Sequence, residues 1–376
     1  MVKMSIIGVT RAAVFRFLLT EWRGRLRIAG MFHKIKWLFI SVAILLFIFL
    51  VLFLIFPDRL PRRVPGDIED NRFLLDTVVS IKLYQSGRKD VLDEAFTLIE
   101  SYENQLSRHK SGSEISRINT AEAGMPTAVS DTTRGLIKTA LKYAEISGSS
   151  FDPTVAPLVD LWGIGSENPR IPTDAEIADV LPLVDYTSVV IDDDAGTVMM
   201  GKNGMALDLG GIAKGWIADR VGEFLIRNGE EHFLINLGGN VLVHGGKPGK
   251  KGNSAFKIGV QNPFEKRGLY LGFFTLDEGS VVSSGIYERY FESGGIRYHH
   301  ILSTKDGYPV ENDLAAVTIL SKKSVDGDAL STTVFILGLD AGMKLVLSLE
   351  GIEAALVTRK GEVVLTPGAE EIFEKR

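Results

Sequence analysis

Residues 37–56, WLFISVAILLFIFLVLFLIF, run for 20 positions without a charge. A helix rising about 1.5 Å per residue over that length covers roughly 30 Å, the thickness of a bilayer's hydrocarbon core. The run has no polar face, which argues against a buried helix of a soluble domain. A cleaved signal peptide would carry a shorter apolar region and a small-residue cleavage site, and neither is present. A single-pass transmembrane anchor is therefore expected. Five Lys/Arg lie in the 15 residues before the span and three (Arg59, Arg62, Arg63) in the 15 after it. The more basic flank stays cytoplasmic, which puts residues 1–36 in the cytosol and the large C-terminal part on the extracytoplasmic side of the cell membrane. Residues 1–30 read equally as a cytosolic lead or as an over-long start, since Met31 opens a compact basic segment, MFHKIK.

Charge narrows the function classes. The net charge of the 376 residues is −5, but residues 1–36 hold eight Lys/Arg against Glu21, leaving −12 for the rest. An acidic body repels phosphate backbones, so nucleic acid is not an expected partner. The chain has no cysteine, which excludes disulfides, thiol catalysis, iron–sulfur clusters and lipidation at cysteine.

Residues 57–72 are polar and proline-bearing, and read as a linker. Residues 73–376 read as one α+β body. Residues 78–84 alternate as a strand does, and apolar positions 91, 92, 95, 98, 99, 102 and 106 predict an amphipathic helix. A second helix is expected over 135–147. Hairpins are predicted at 188–192/197–200 and 232–237/240–244, with further strands at 256–260, 272–276 and 316–320. Runs of strands with occasional helices predict mixed, largely antiparallel sheets with flanking helices rather than a doubly wound parallel sheet.

Four stretches concentrate chemistry. Residues 208–219, DLGGIAKGWIAD, join a glycine pair to a helix predicted from near Gly211, with Lys214 in its first turn. Free amides and a lysine at a helix start suit a phosphate, although the glycine pair alone reads more readily as a plain strand–helix turn with a solvated lysine. Asp328 and Thr332 are four apart and share one helical face, as two oxygen ligands of a hard cation would. Asp328 could equally cap its helix. The pair His299-His300 precedes a Gly-Tyr-Pro turn and offers a proton acceptor suited to neutral pH, or else a structural histidine. Residues 151–165, FDPTVAPLVDLWGIG, could wall a planar ring or form a packed turn.

Each signal is weak alone, but their order is specific. Phe151-Asp-Pro-Thr, Asp208-Leu-Gly-Gly-Ile-Ala-Lys-Gly, Asn236-Leu-Gly-Gly-Asn, His300-Ile-Leu with Gly307-Tyr-Pro, and Asp328-Ala-Leu-Ser-Thr together resemble the ApbE family, the FAD:protein FMN transferases. The resemblance runs from about residue 73 to the C-terminus. It implies magnesium held by Asp328, Thr332 and the carbonyl of Gly211. It implies FAD contacts from Leu75, Ser150, Phe151, Asp152, Asp208, Lys214 and Leu302, and His300 rather than His299 as the base acting on the acceptor hydroxyl. The sequence departs from the family pattern at Ser303-Thr304 (usually Asp-Pro), Asp306 (usually Thr), Leu75-Asp76 (usually Met-Gly) and His109 (usually Tyr).

The implied reaction moves FMN from FAD to a threonine of an acceptor flavoprotein at the same membrane face, releasing AMP. Water in place of threonine would make the same site an FAD hydrolase. A tethered, non-catalytic flavin-binding protein is the third reading, and retention of Lys214, His300, Asp328 and Thr332 argues against it.

Overall fold

The computed structural model describes residue 16, residues 36, 37 and 40–47, and residues 66–249 and 252–376. Of the predicted anchor, residues 37 and 40–47 are helical with exposed side chains, and the remainder lies outside the described residues. The chain divides into two compact units, Met1–Val64 and Pro65–Arg376.

Sixteen strands are described. Strands β1 (Ile68–Leu74) and β2 (Thr77–Leu83) form a hairpin; β3 (Thr127–Ala128), β4 (Val189–Asp192) and β5 (Thr197–Met200) make a small sheet. Strands β6 (Phe233–Leu237) and β7 (Asn240–His244) flank the Gly238-Gly239 turn. Strands β8 (Phe256–Gln261) and β9 (Tyr270–Leu276) are followed by β10 (Gly279–Gly285), and β11 (Tyr290–Ser293) and β12 (Ile296–His299) form an isolated ribbon. Strands β13 (Leu314–Ser321), β14 (Glu353–Thr358) and β15 (Val363–Leu365) follow, and β16 (Phe373–Lys375) adds to β9.

The main sheet has the order β1-β2-β6-β7-β10-β13-β14-β15, with neighbours antiparallel throughout. This is the α+β architecture that the strand pattern predicts. Alternation sorts its two faces. Val79, Ile81 and Leu83 with Phe233, Ile235 and Leu237 pack on helices Lys89–Leu106 and Ala213–Arg227. Tyr84, Val243, Val281, Leu320 and Ala355 point the other way, onto Phe256, Ile258 and Phe274 of the β8–β9 layer. Every residue of β13 is buried because both faces are covered. Each large apolar side chain removed from water contributes roughly 1.5–3 kcal/mol, so the burial fixes the register of each strand.

Three boundaries differ from the sequence expectation. Strand β1 begins at Ile68, so residues 68–72, read as linker, belong to the domain. As the edge strand it only half-buries alternate residues, and Glu69, Asp70, Asn71 and Arg72 hide its period. The helix expected over 135–147 begins at Asp131, because the Ser130 hydroxyl accepts from Thr133 N–H and caps it. The helix expected near Gly211 starts at Ala213.

Helix Ser324–Ser348 is apolar and long enough to cross a membrane by composition alone. Instead it packs into the core through Val325, Ala329, Leu330, Val334 and Phe335, and breaks at Gly338. Asn312 and Asp313 fill that break: Asn312 Nδ2 donates to the Phe335 carbonyl and Asp313 Oδ1 accepts from Leu339 N–H.

Helices Ala213–Arg227 and Ser324–Ser348 meet at Gly215. A Cβ there would lie 2.3 Å from the Ser324 carbonyl oxygen and 2.7 Å from Asp328 Cβ. Glycine alone permits that approach, and the approach brings Lys214 and Asp328 to one place.

Candidate active site

The glycine turn is built from its own side chain. Asp208 Oδ1 accepts from Gly210 N–H at 2.8 Å, and its Oδ2 pairs with Arg108 Nη1 at 3.2 Å. Arg108 reaches Asp160 with its other nitrogen. The Asp208 N–H donates to the Pro153 carbonyl at 2.7 Å, tying the Phe-Asp-Pro-Thr loop to this turn. Lys214 Nζ donates to the Gly210 carbonyl at 3.1 Å. Phe151 closes the turn from above: a Cβ on Gly211 would stand 3.2 Å from Phe151 Cε2 and 3.8 Å from Thr332 Oγ1.

Thr332 is thereby placed beside Gly211, and the same helix supplies Asp328. The helix begins at Ser324, so Asp328 is its fifth residue and not its cap. Its Oδ2 instead accepts from Gly215 N–H of the other helix at 2.8 Å. Ser284, at the end of β10, adds a hydroxyl 2.8 Å from Ser331 Oγ and 3.4 Å from Thr332 Oγ1. The Asp328 carboxylate, the Thr332 hydroxyl and the backbone at Gly211 offer oxygen donors only, the ligand type a hard cation such as magnesium takes. Among the described residues, no group of three or more His, Cys, Asp or Glu side chains lies together to hold a metal. A cation here would complete its shell with water and substrate phosphates, which is how magnesium is usually held.

The two adjacent histidines have different surroundings. His299 is buried; its Nε2 lies 2.9 Å from the Val310 carbonyl and its Nδ1 accepts from Ile301 N–H. Both nitrogens are engaged. His300 keeps a solvent-facing edge, and its Nδ1 lies 3.2 Å from the Arg289 carbonyl. A carbonyl only accepts, so Nδ1 carries the hydrogen and Nε2 keeps its lone pair. Burial, with Arg289 and Lys214 nearby, holds the His300 ring down at about 4. Glu288 lies on the loop before β11. Desolvation by the surrounding protein, opposed by Lys214 and reinforced by Asp328, pushes its carboxyl up to about 7.

Short ties bring the loops together. Thr304 Oγ1 donates to the Ser149 carbonyl at 2.6 Å, joining the histidine loop to Ser150 and Phe151. Trp162 Nε1 donates to the Gly307 carbonyl at 2.8 Å, and the Trp162 ring packs on Tyr298 and Tyr308. Asp152 is buried, with Oδ1 taken by the backbone and hydroxyl of Thr154 and Oδ2 by Tyr186 N–H. Its carboxylate shapes the loop, and burial raises its pKa. Leu302 is buried in the Trp162 cluster, so what it offers a ligand is backbone. Leu75 and Asp76 both have positive φ, 54° and 55°, in the two-residue turn between β1 and β2. Leu75 packs at the edge of the cluster that includes Trp216, two residues past Lys214.

Ser284, Glu288 and Arg108 were not legible in the sequence as site residues. Glu288 and Arg289 had a signal, their position just upstream of the histidine pair. Arg108 had none, since its partner Asp208 is 100 residues away.

The sequence profile of the ApbE family matches residues 75–356. A Klebsiella pneumoniae protein described as an FAD:protein FMN transferase is 38% identical over 293 residues, covering 78% of this chain and 90% of its own. A Treponema pallidum protein of the same description is 33% identical, covering 71% of this chain and 76% of its own. Among solved structures, the ApbE protein of Thermotoga maritima superposes with a TM-score of 0.75 at 32% identity, over 83% of this chain and all of its own. The flavin transferase ApbE of Vibrio cholerae superposes with a TM-score of 0.73 at 25% identity, over 82% of this chain and 99% of its own. With the family profile matched over residues 75–356 and relatives of that description above 30% identity, the chain belongs to the ApbE family.

Proposed function

We propose that this chain uses magnesium to move FMN from FAD onto a threonine hydroxyl of an acceptor flavoprotein. The coarser part, FAD:protein FMN transfer, follows by homology from the family and from relatives of that description. The observation that carries the finer part is the meeting of Asp328, Thr332 and Gly211 beside Lys214. When bound there, magnesium would neutralise charge on the FAD pyrophosphate.

The remaining chemistry belongs to the chain. Lys214 and the first amides of its helix draw the pyrophosphate into the turn and stabilise charge that builds during transfer. Phe151 and the loop that Asp152 holds provide the wall for the flavin end. His300, neutral with its Nε2 open, takes the proton from the threonine hydroxyl as that oxygen attacks the FMN phosphorus. The bond from that phosphorus to the bridging oxygen breaks, and AMP leaves with the bridging oxygen and its electron pair. Positioning and electrostatics supply the acceleration, as in phosphoryl transfer generally.

The test is an intact-mass assay with the full chain in detergent, FAD, magnesium and an acceptor carrying a candidate threonine. The acceptor should gain one FMN, and EDTA should abolish the gain. Consumption of FAD to FMN and AMP with an unlabelled acceptor would move the reading to hydrolysis.

The apolar run at 37–56 and its basic flank support a single-pass anchor with the enzyme on the extracytoplasmic side, facing acceptors at that membrane surface. Protease added to intact cells should then digest the domain; full protection would place it in the cytosol instead.

A further inference from the structure

Helices Ala213–Arg227 and Ser324–Ser348 cap each other. Asp328, from the second helix, takes the N–H of Gly215, the third residue of the first helix. Asp219, from the first helix, takes both leading N–H groups of the second: Ser324 N to Oδ1 at 2.7 Å and Val325 N to Oδ2 at 3.0 Å. Each carboxylate thus satisfies amides that a helix start leaves without an internal partner. One contact is made at Gly215 itself, where the helices approach closely, and the other one turn further along at Asp219. Together they leave little freedom for one helix to slide or turn against the other. Tyr143 braces the same turn by donating to Asp326 Oδ1 at 2.6 Å.

We propose that Asp219 is a positioning residue for the cation site. Through its bidentate hold on residues 324 and 325 it sets the rotation of the helix that presents Asp328 and Thr332 toward Gly211. The inference rests on the reading that Asp328 and Thr332 bind magnesium. Asp219 makes both of these bonds to backbone, so it acts on the site through the helix and not as a ligand. Sequence spacing does not predict the arrangement, because residues 219 and 324 are 105 apart.

The test reads cation binding directly. Manganese uptake by the full chain in detergent is followed by electron paramagnetic resonance, at a temperature where circular dichroism shows each variant folded. Asp219→Ala should bind manganese about 10–100-fold more weakly, the usual effect of losing a partner that orients a ligand. Asp219→Asn, whose amide oxygen still accepts one of the two N–H groups, should fall between Asp219→Ala and wild type. In the transfer assay the magnesium requirement should rise by a similar factor, with kcat recovering at saturating metal. Ser130→Ala, which removes the cap of helix Asp131–Ile146, should melt lower yet bind manganese as wild type does. If Asp219→Ala fails to fold, Asp219→Asn decides. Wild-type affinity in a folded Asp219 variant overturns the proposal alone. A wild type that takes up no manganese overturns the cation site and the proposal together.

Discussion

Replacing His300 with alanine is expected to lower FMN transfer by about 10²–10⁴-fold, the usual contribution of a positioned base, while FAD binding stays close to wild type. The expectation rests on the division of labour between the two histidines. His299 has both ring nitrogens engaged inside the protein, so it cannot take over. His300 has one nitrogen held by the Arg289 carbonyl and the other open. The pH dependence has a definite sign. Burial, reinforced by Arg289, lowers the His300 pKa to about 4, so the ring is a neutral base throughout the neutral range. The acid limb of kcat/KM, which reports groups of the free enzyme, should therefore fall near pH 4 and not near 6.5. Stability follows the same direction. A depressed folded-state pKa contributes stability that is present above the unfolded value of 6.5 and is lost as pH falls toward 4. A pH–rate profile and paired FAD titrations of His300→Ala check both points. Transfer undiminished in that variant would remove His300 from the chemistry.

Asp328→Ala should produce two separable losses. Transfer should fall by about 10²–10³-fold, on the scale of removing one group that stabilises transition-state charge, and cation binding should fall with it. Stability should drop by about 1–3 kcal/mol, because Gly215 N–H would be left buried without its acceptor. Asp328→Asn separates the two. Its amide oxygen can still accept from Gly215, so the melting temperature should largely recover, whereas the lost charge keeps the cation weak. Thermal melts beside magnesium-dependent transfer rates make the comparison. If Asp328→Asn transfers FMN at the wild-type rate, the carboxylate is a cap and the ligand role fails.

The ApbE motifs were legible because each is short and carries its own local reason: glycines before a helix, a lysine in its first turn, two oxygens four residues apart. The main strands were legible for a similar reason, since alternation is a property of neighbours. Strand β1 was missed because an edge position let Asp70 and Arg72 occupy its half-buried face and Phe73 its exposed one, which removes the apolar alternation. The anchor at 37–56 was read from length and apolarity alone, and most of it lies outside the described residues.

Other features depended on segments far apart in the chain. Asp328 reads equally as a cap or a ligand until its helix is seen to begin at Ser324 and its carboxylate to hold Gly215, 113 residues away. Asp152 is a buried carboxylate in a motif, but Thr154 and Tyr186 decide what its oxygens do. Neither histidine can be preferred on residue type. The Val310 carbonyl engages one and the Arg289 carbonyl orients the other. The sequence by itself determined which chemical groups the chain possesses and which local elements carry them, since those depend on residue type and short-range periodicity. Tertiary structure alone decided which oxygen and which nitrogen remain free to act, because hydrogen bonds from distant segments engage the rest.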